Sequence, residues 1–209
     1  MASRREAILR ASAKAIAERG VRGLRVHDVA EVAGVSPGLL YYYFKDRDGL
    51  LAAALTYIND RARESGTASE GSDSPLERLH AHALADIQDV PEVFENALVW
   101  HELRASAVFE APLREPLAAT SRQWDAEIAD AIRVAQAAGD LAGGIDPKAM
   151  GLIVTALTDG LSARWLSGEL STEQARAHLS LALSALLPAA ERAPADGGAV
   201  RSGRRAGNI

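Results

Sequence analysis

Residues 24–51 read LRVHDVAEVAGVSPGLLYYYFKDRDGLL, and this stretch decides the fold. Two short runs with helical character, about Val26 to Ala33 and Pro37 to Lys45, are separated by Gly34-Val35-Ser36. Ser36 is a good N-cap, and Pro37 falls at the first helical position, where its missing N–H costs nothing. The spacing predicts a helix-turn-helix, whose second helix enters the major groove of DNA. Val29, Val32 or Ala33, and Val35 fill the space between the helices, and Gly34 supplies the tight turn. At about 100° per residue, Leu40 and Phe44 share one face of the second helix and must point to the core. Tyr42 then lies opposite, with Gly38, Leu39 and Lys45 nearby, while Tyr41 and Tyr43 flank the core face. Three consecutive tyrosines cannot all be buried on one short helix. An exposed tyrosine offers a hydroxyl to phosphate oxygens and a ring to sugars or thymine methyls. The plainer reading of Tyr41 and Tyr43 is that they are boundary residues with polar tips outward.

Outward from this stretch the chain reads as helix throughout, an all-α fold of about nine helices with no useful run of strand character. A first helix is expected from about Ser3 to Arg19, stopped by Gly20. Asp46 caps a long fourth helix to about Ser65, with no glycine or proline after Gly49. A polar loop over 65–74 leads to Pro75, and further helices are expected at 75–89, 91–106, 112–138, 147–167 and 172–187. The domains expected are a DNA-binding head over 1–50, a connector helix over 46–65 and a larger helical body over 51–190. The glycine-rich tail over 191–209 is expected to be disordered.

Charge is divided unevenly. Residues 1–65 carry 11 Lys/Arg against 8 Asp/Glu, whereas residues 66–190 carry 8 against 18. A basic head on an acidic body suits a nucleic-acid partner, although so small an excess is weak evidence alone. The chain has no cysteine, which excludes disulfides, thiolate metal sites and thiol catalysis. No apolar run reaches the roughly 18 residues of a membrane span, and no signal peptide is evident, so a soluble cytoplasmic protein is the expectation. The five histidines form no HExxH, and there is no P-loop, GxSxG or GxGxxG after a strand. No enzyme, cofactor or metal is expected. A helical scaffold or adaptor that binds no DNA is the alternative.

Gly34-Val35-Ser36-x-Gly38-x-Leu40-Tyr41-x-x-Phe44-x-x-Arg47-x-x-Leu50-Leu51 resembles the recognition-helix signature of the TetR (tetracycline repressor) family. Ile8-Leu9 with Ala11, and Glu18-Arg19-Gly20, resemble its first helix. The resemblance implies a homodimer that binds a palindromic double-stranded DNA operator as a repressor and is released by a small-molecule inducer. Pro37, Gly38, Leu39 and Tyr42 would approach bases from a helix begun by Ser36. Tyr41, Tyr43, Lys45 and Arg47 would hold phosphates. Arg25 stands where the family usually has a capping threonine; it cannot cap, but it can reach a phosphate, as can His27. Leu39 replaces a usual threonine or serine, so a base contact there is apolar.

The body is similar, less closely, to the betaine-regulatory (choline-responsive) branch, through Trp100…Arg104-Ala105, Ala138-Gly139-Asp140-Leu141, Asp146-Pro147 and Asp159-Gly160-Leu161. Met150, Ile153, Val154, Leu157, Leu161 and Trp165 form one apolar stripe; Leu179, Ala182, Leu183 and Leu186 form another. Such stripes are ordinarily core, but the resemblance implies a four-helix dimer interface, with Gly160 and Ala156 permitting close approach. The effector-pocket candidates are Phe94, Leu98, Trp100 and His101, together with Arg104, Trp124 and Ile128. A tryptophan on an amphipathic helix is more often core, and His101 beside Glu102 more often a surface pair. Aromatics with nearby acids could cage a cationic ligand.

Overall fold

The computed structural model describes residues 3–66, 72 and 74–190. The tail from 191, and most of the polar loop before Pro75, lie outside the described residues. Nine α-helices are present among the described residues: α1 (Arg4–Gly23), α2 (Val26–Val32), α3 (Pro37–Phe44), α4 (Arg47–Gly66), α5 (Pro75–Leu84), α6 (Pro91–Ala107), α7 (Arg114–Ala137), α8 (Pro147–Leu166) and α9 (Thr172–Leu186). A 3₁₀ turn, Ala111–Leu113, precedes α7.

The helix starts follow from capping chemistry. Side-chain oxygens of Ser3, Ser36, Ser74, Asp146 and Ser171 each accept a backbone N–H of the first turn. Each such cap contributes about 1 kcal/mol. Ser171 and Gln174 complete a reciprocal capping box. Asp46 takes the Gly49 N–H at 2.7 Å. Gly49 is there for space, since a Cβ would lie 2.2 Å from the Phe44 carbonyl oxygen.

Two apolar clusters hold the chain. The first contains Ile8, Ile16, Val29, Leu40, Phe44, Leu50 and Leu55, and draws in Val99, Leu103 and Ala107 from α6. The head's core therefore runs past residue 50 as far as Ile58, with α6 as one of its walls. The second joins α5, α7, α8 and α9 around Leu79, Ile128, Ile132, Val154, Leu179 and Leu183. Gly151 lets α8 close on α7, where a Cβ would sit 2.5 Å from the Asp125 carbonyl oxygen.

Three boundaries differ from expectation. The expected α1 stop at Gly20 is a break (φ 71°), after which one more turn runs to Gly23. The segment expected as one helix from 112 enters through the 3₁₀ turn instead. The fifth helix ends at Leu84 rather than 89. There the Arg176 guanidinium donates to the Leu84 and Ile87 carbonyls at 2.6 and 2.8 Å, fixing a turn in place of a last helical turn. That turn carries Asp86.

Candidate DNA-reading surface and effector cavity

In the helix-turn-helix, Gly34 has φ 66° and its Cβ position is open, so backbone conformation alone calls for glycine. The Val35 N–H closes the turn on the Ala30 carbonyl at 2.9 Å. Val29 is buried and Ala33 and Val35 pack partly on the core, but Val32 points outward. On α3, Leu40 and Phe44 are buried while Tyr42 is 81% exposed, the largest exposure among the three tyrosines. The Tyr42 and Tyr43 rings meet edge to face at 5.6 Å, which stiffens the outward face. Pro37 and Gly38 are exposed and Leu39 is half-buried. A Cβ on Gly38 would meet nothing within 4 Å, so nothing inside this chain demands glycine there. Arg25 flanks α2 without a capping hydrogen bond, and Arg25, His27 and Lys45 are exposed.

Arg47, expected to hold phosphate, has its guanidinium engaged within the chain. Its Nη1 pairs with Glu110 at 3.1 Å and its Nη2 donates to the Val21 carbonyl at 2.7 Å. Nearby, the Val21 N–H, left over by the break at Gly20, donates to Glu102 Oε2 at 3.1 Å. Glu102 lies so close to Gly20 that a Cβ there would stand 2.8 Å from its carboxylate. Two acids of the body thus grip the seam between α1 and α4.

A cavity of about 100 Å³ opens among α4, the turn after α5, α6, α7 and α8. From α4 come Ile58, Asn59, Ala62 and Arg63, and from α5 and its turn His82, Ala85 and Asp86. Helix α6 adds Asn96, Trp100 and His101; Trp124 and Glu127 come from α7 and Asp159 from α8. Trp100, His101 and Trp124, expected at an effector pocket, line this cavity. Four expected residues do not line the cavity. Ile128 is fully buried in the second core. Phe94 is partly exposed and meets Trp165 edge to face at 5.2 Å. Arg104 is occupied by Asp159 at 2.7 Å and lies over the Trp100 ring at 5.0 Å. Leu98, on α6, lies outside the lining.

The electrostatics of the cavity are those of buried acids. Burial first, and Asp159 second, push the Asp86 carboxyl up to about 7. Asp159 is raised by burial against the opposing pull of Arg104 and of the Trp100 Nε1–H, which donates to it at 2.9 Å. Burial lowers His82 and His101, favouring their neutral rings. Arg63 is neutralised across the wall by Glu127. Asp86, Asn96, Arg63 and Glu127 escape sequence reasoning.

The stripes expected at a dimer interface are mostly turned inward. Val154, Trp165, Leu179 and Leu183 are buried in the chain's own second core, and Met150, Leu157, Leu161 and Leu186 pack against it. Ala182 is half-buried beside them. Ile153 alone of the ten is exposed, and with it stand Leu152 on α8 and Leu181 on α9, which the sequence reading missed. Both helices have apolar residues on more than one face, so periodicity could not choose between faces. A Cβ on Gly160, also on this outer face, would meet nothing.

An exposed tyrosine face on a helix-turn-helix, joined to a helical body with an internal cavity, defines a ligand-responsive DNA-binding regulator. The family model for bacterial regulatory proteins of the tetR family matches residues 8–54. That for the C-terminal part of BetI-type transcriptional repressors matches residues 75–188. The chain belongs to the TetR family, in its BetI-type branch. The HTH-type transcriptional regulator BetI of Burkholderia thailandensis is 30% identical over 175 residues, 80% of this chain and 83% of the relative. A crystal structure described as a putative TetR-family regulator from Rhodococcus sp. is 60% identical with a TM-score of 0.86, covering 90% of this chain and all of that one. A putative transcriptional regulator from Saccharomonospora viridis, solved in complex with choline, shares the fold with a TM-score of 0.75 at 24% identity, over 88% and 96% of the two chains. The protein is a ligand-responsive repressor rather than an enzyme, which sets aside the scaffold alternative. No helix among the described residues is long and apolar enough to cross a membrane.

Proposed function

We propose that this repressor reads a palindromic operator in the cytoplasm as a homodimer, through the α3 face centred on Tyr42, and releases it when a small organic cation fills the cavity. The observation that carries the reading is Tyr42, 81% exposed directly opposite buried Leu40 and Phe44. Pro37, Gly38, Leu39 and Tyr42 approach base edges; Arg25, His27, Tyr41, Tyr43 and Lys45 hold phosphates on either side. Residues 1–50 act as the head and 51–190 as the body, with α4 and α6 belonging to both.

Dimerisation uses the outer face of α8 and α9, with Leu152, Ile153 and Leu181 as apolar anchors and Gly160 at the closest approach. Large exposed aliphatics beside small residues are what a second helix pair would cover. The two recognition helices then sit about 34 Å apart, or a multiple of it, as successive major grooves require. Helices α4 and α6 each reach from cavity to head. Trp100 and His101 line the cavity while Glu102, on the next step of α6, holds Val21. A ligand that shifts α6 changes the pose of the head without touching DNA.

The cation reading rests on Asp86, Asp159 and two tryptophans around one cavity, and is consistent with the choline found in the Saccharomonospora structure. A gel shift on the DNA upstream of its own gene should show a discrete complex that Tyr42→Ala weakens. Wild-type affinity in that variant would remove the reading face from this proposal.

A further inference from the structure

The polar groups around the cavity divide into those already satisfied by the protein and those left open. Arg63 and Glu127 pair with each other, and Thr158 donates to the Val154 carbonyl at 2.9 Å. Asp159 takes both the Trp100 Nε1–H and the Arg104 guanidinium. Among the described residues Asp86 has no hydrogen bond, and its carboxyl belongs to the cavity wall. Asn96, only 8% exposed, lines the cavity with its Oδ1 unpartnered, and His101 Nε2 is likewise buried without a partner. A carboxylate and an amide oxygen are acceptors, and an imidazole nitrogen is one in the tautomer that leaves it bare. Arg63 Nε is a buried donor without a partner, on a guanidinium that Glu127 already neutralises.

The aromatic groups point the same way. A quaternary ammonium is held by free ring faces. One face of Trp100 is covered at 5.0 Å by the chain's own Arg104, and Trp100 meets Trp124 nearly at right angles, 84° at 6.4 Å. The two rings stand as near-perpendicular walls, and one face of Trp100 is closed to a ligand. A permethylated cation would also leave the buried Asn96 Oδ1 without a donor, and an unmet buried acceptor is costly.

We infer that the cavity selects a protonated primary or secondary amine, whose N–H groups donate to Asp86 and to Asn96 Oδ1, over a quaternary ammonium of the same skeleton. This rests on the cavity being the effector site. Asp86 is the counter-ion, Asn96 orients the second N–H, and Trp100 and Trp124 cover the methylenes.

Calorimetric titration of the full chain with ethanolamine, N,N-dimethylethanolamine and choline tests it, because charge and skeleton are constant while N–H donors fall from three to one to none. Ethanolamine should bind at least about 10-fold more tightly than choline, the difference expected for one lost charge-assisted hydrogen bond. Dimethylethanolamine should fall between. Asp86→Asn should abolish the ethanolamine heat, and Asn96→Leu should narrow the gap between ethanolamine and choline. Choline binding as tightly as ethanolamine would overturn the inference while leaving a cation-responsive cavity in place. Silence from all three would overturn it together with the cation reading, and would leave DNA recognition by α3 untouched.

Discussion

The head and the body treat polar and apolar groups in opposite ways. On α3 the aliphatic and phenyl groups are inside, and the hydroxyl-bearing rings are outside, Tyr42 most of all. In the body, Asp86, Asp159, His82 and His101 are half-buried around the cavity, while Leu152, Ile153 and Leu181 are outside. A surface that reads DNA must offer its polar groups to phosphate and base edges, so they stay solvated until the partner arrives. A cavity that senses a ligand must instead hold polar groups that water and protein leave poorly satisfied. The free energy that would order a stable core is there held back for a small molecule. The inversion teaches that exposure and burial in this chain mark two kinds of partner, one polyanionic and large, one small and enclosed.

The largest effect should come from the body's outer face. Leu181→Glu adds a charge where the single chain is already open to solvent, so folding should survive. Light scattering should show a monomer, and operator affinity should fall by about 10²–10⁴-fold as the two-headed grip is lost. A variant that stayed dimeric would move the interface elsewhere and remove half of the contrast.

Next is the buried acid. Asp86 carries its proton more tightly in the folded chain, up to about 7, than in the unfolded one. Wild-type stability should therefore decline as pH rises from about 4 to 7, while only the unfolded state ionises, and stay at the reduced level above. Asp86→Asn, which cannot ionise, should melt with wild type at pH 4 and above it at pH 8. The gain is at most about 4 kcal/mol, at about 1.4 kcal/mol per pH unit. Differential scanning calorimetry across that range checks the sign; a variant less stable at pH 8 would show that the carboxylate is satisfied in place.

On the head, Tyr42→Ala should cost about 1–3 kcal/mol of specific operator binding and leave the melting temperature unchanged. Anisotropy titrations on operator and on random duplex separate the two outcomes. Equal losses on both would make Tyr42 a phosphate contact rather than a reader of bases.

The contrast also explains what the sequence could tell. Leu40, Tyr42 and Phe44 lie within five residues, and a local helical period is enough to sort inside from outside. Ser36, Pro37 and Gly34 mark the boundaries by chemistry that acts within a turn. The cavity is assembled from five places in the chain, and Asp86 faces it only because Arg176, ninety residues on, closes the turn after α5. Ile128 and Trp124 sit one helical turn apart on α7, and no period distinguishes a core position from a cavity wall. On α8, apolar residues run almost all round, so the buried Val154 and the exposed Ile153 read alike. Trp100, His101 and Trp124 were legible because aromatic residues are scarce here, at 5% of the chain.

The smallest effect concerns the seam where the two regions meet. Arg47 lies beside the DNA-reading helix, and the family resemblance implies a phosphate contact, but its guanidinium is held by Glu110 and the Val21 carbonyl. If it remains so on DNA, it neutralises no phosphate and releases no counterion. Arg47→Ala should then leave the slope of log affinity against log salt unchanged on a random duplex, whereas Lys45→Ala should reduce it by about 0.9. Stability should fall by about 1 kcal/mol, discounted from a buried charge-assisted bond because the pair is about one-third exposed. Glu110→Gln discriminates further. It frees the guanidinium from its ion pair while keeping a hydrogen-bonding oxygen, so an arginine able to reach phosphate would now steepen the salt slope by about one charge. An unchanged slope in both variants makes Arg47 a fixture of the seam. A slope that flattens in Arg47→Ala would return it to the DNA face, and the boundary between the two regions would then move with DNA binding.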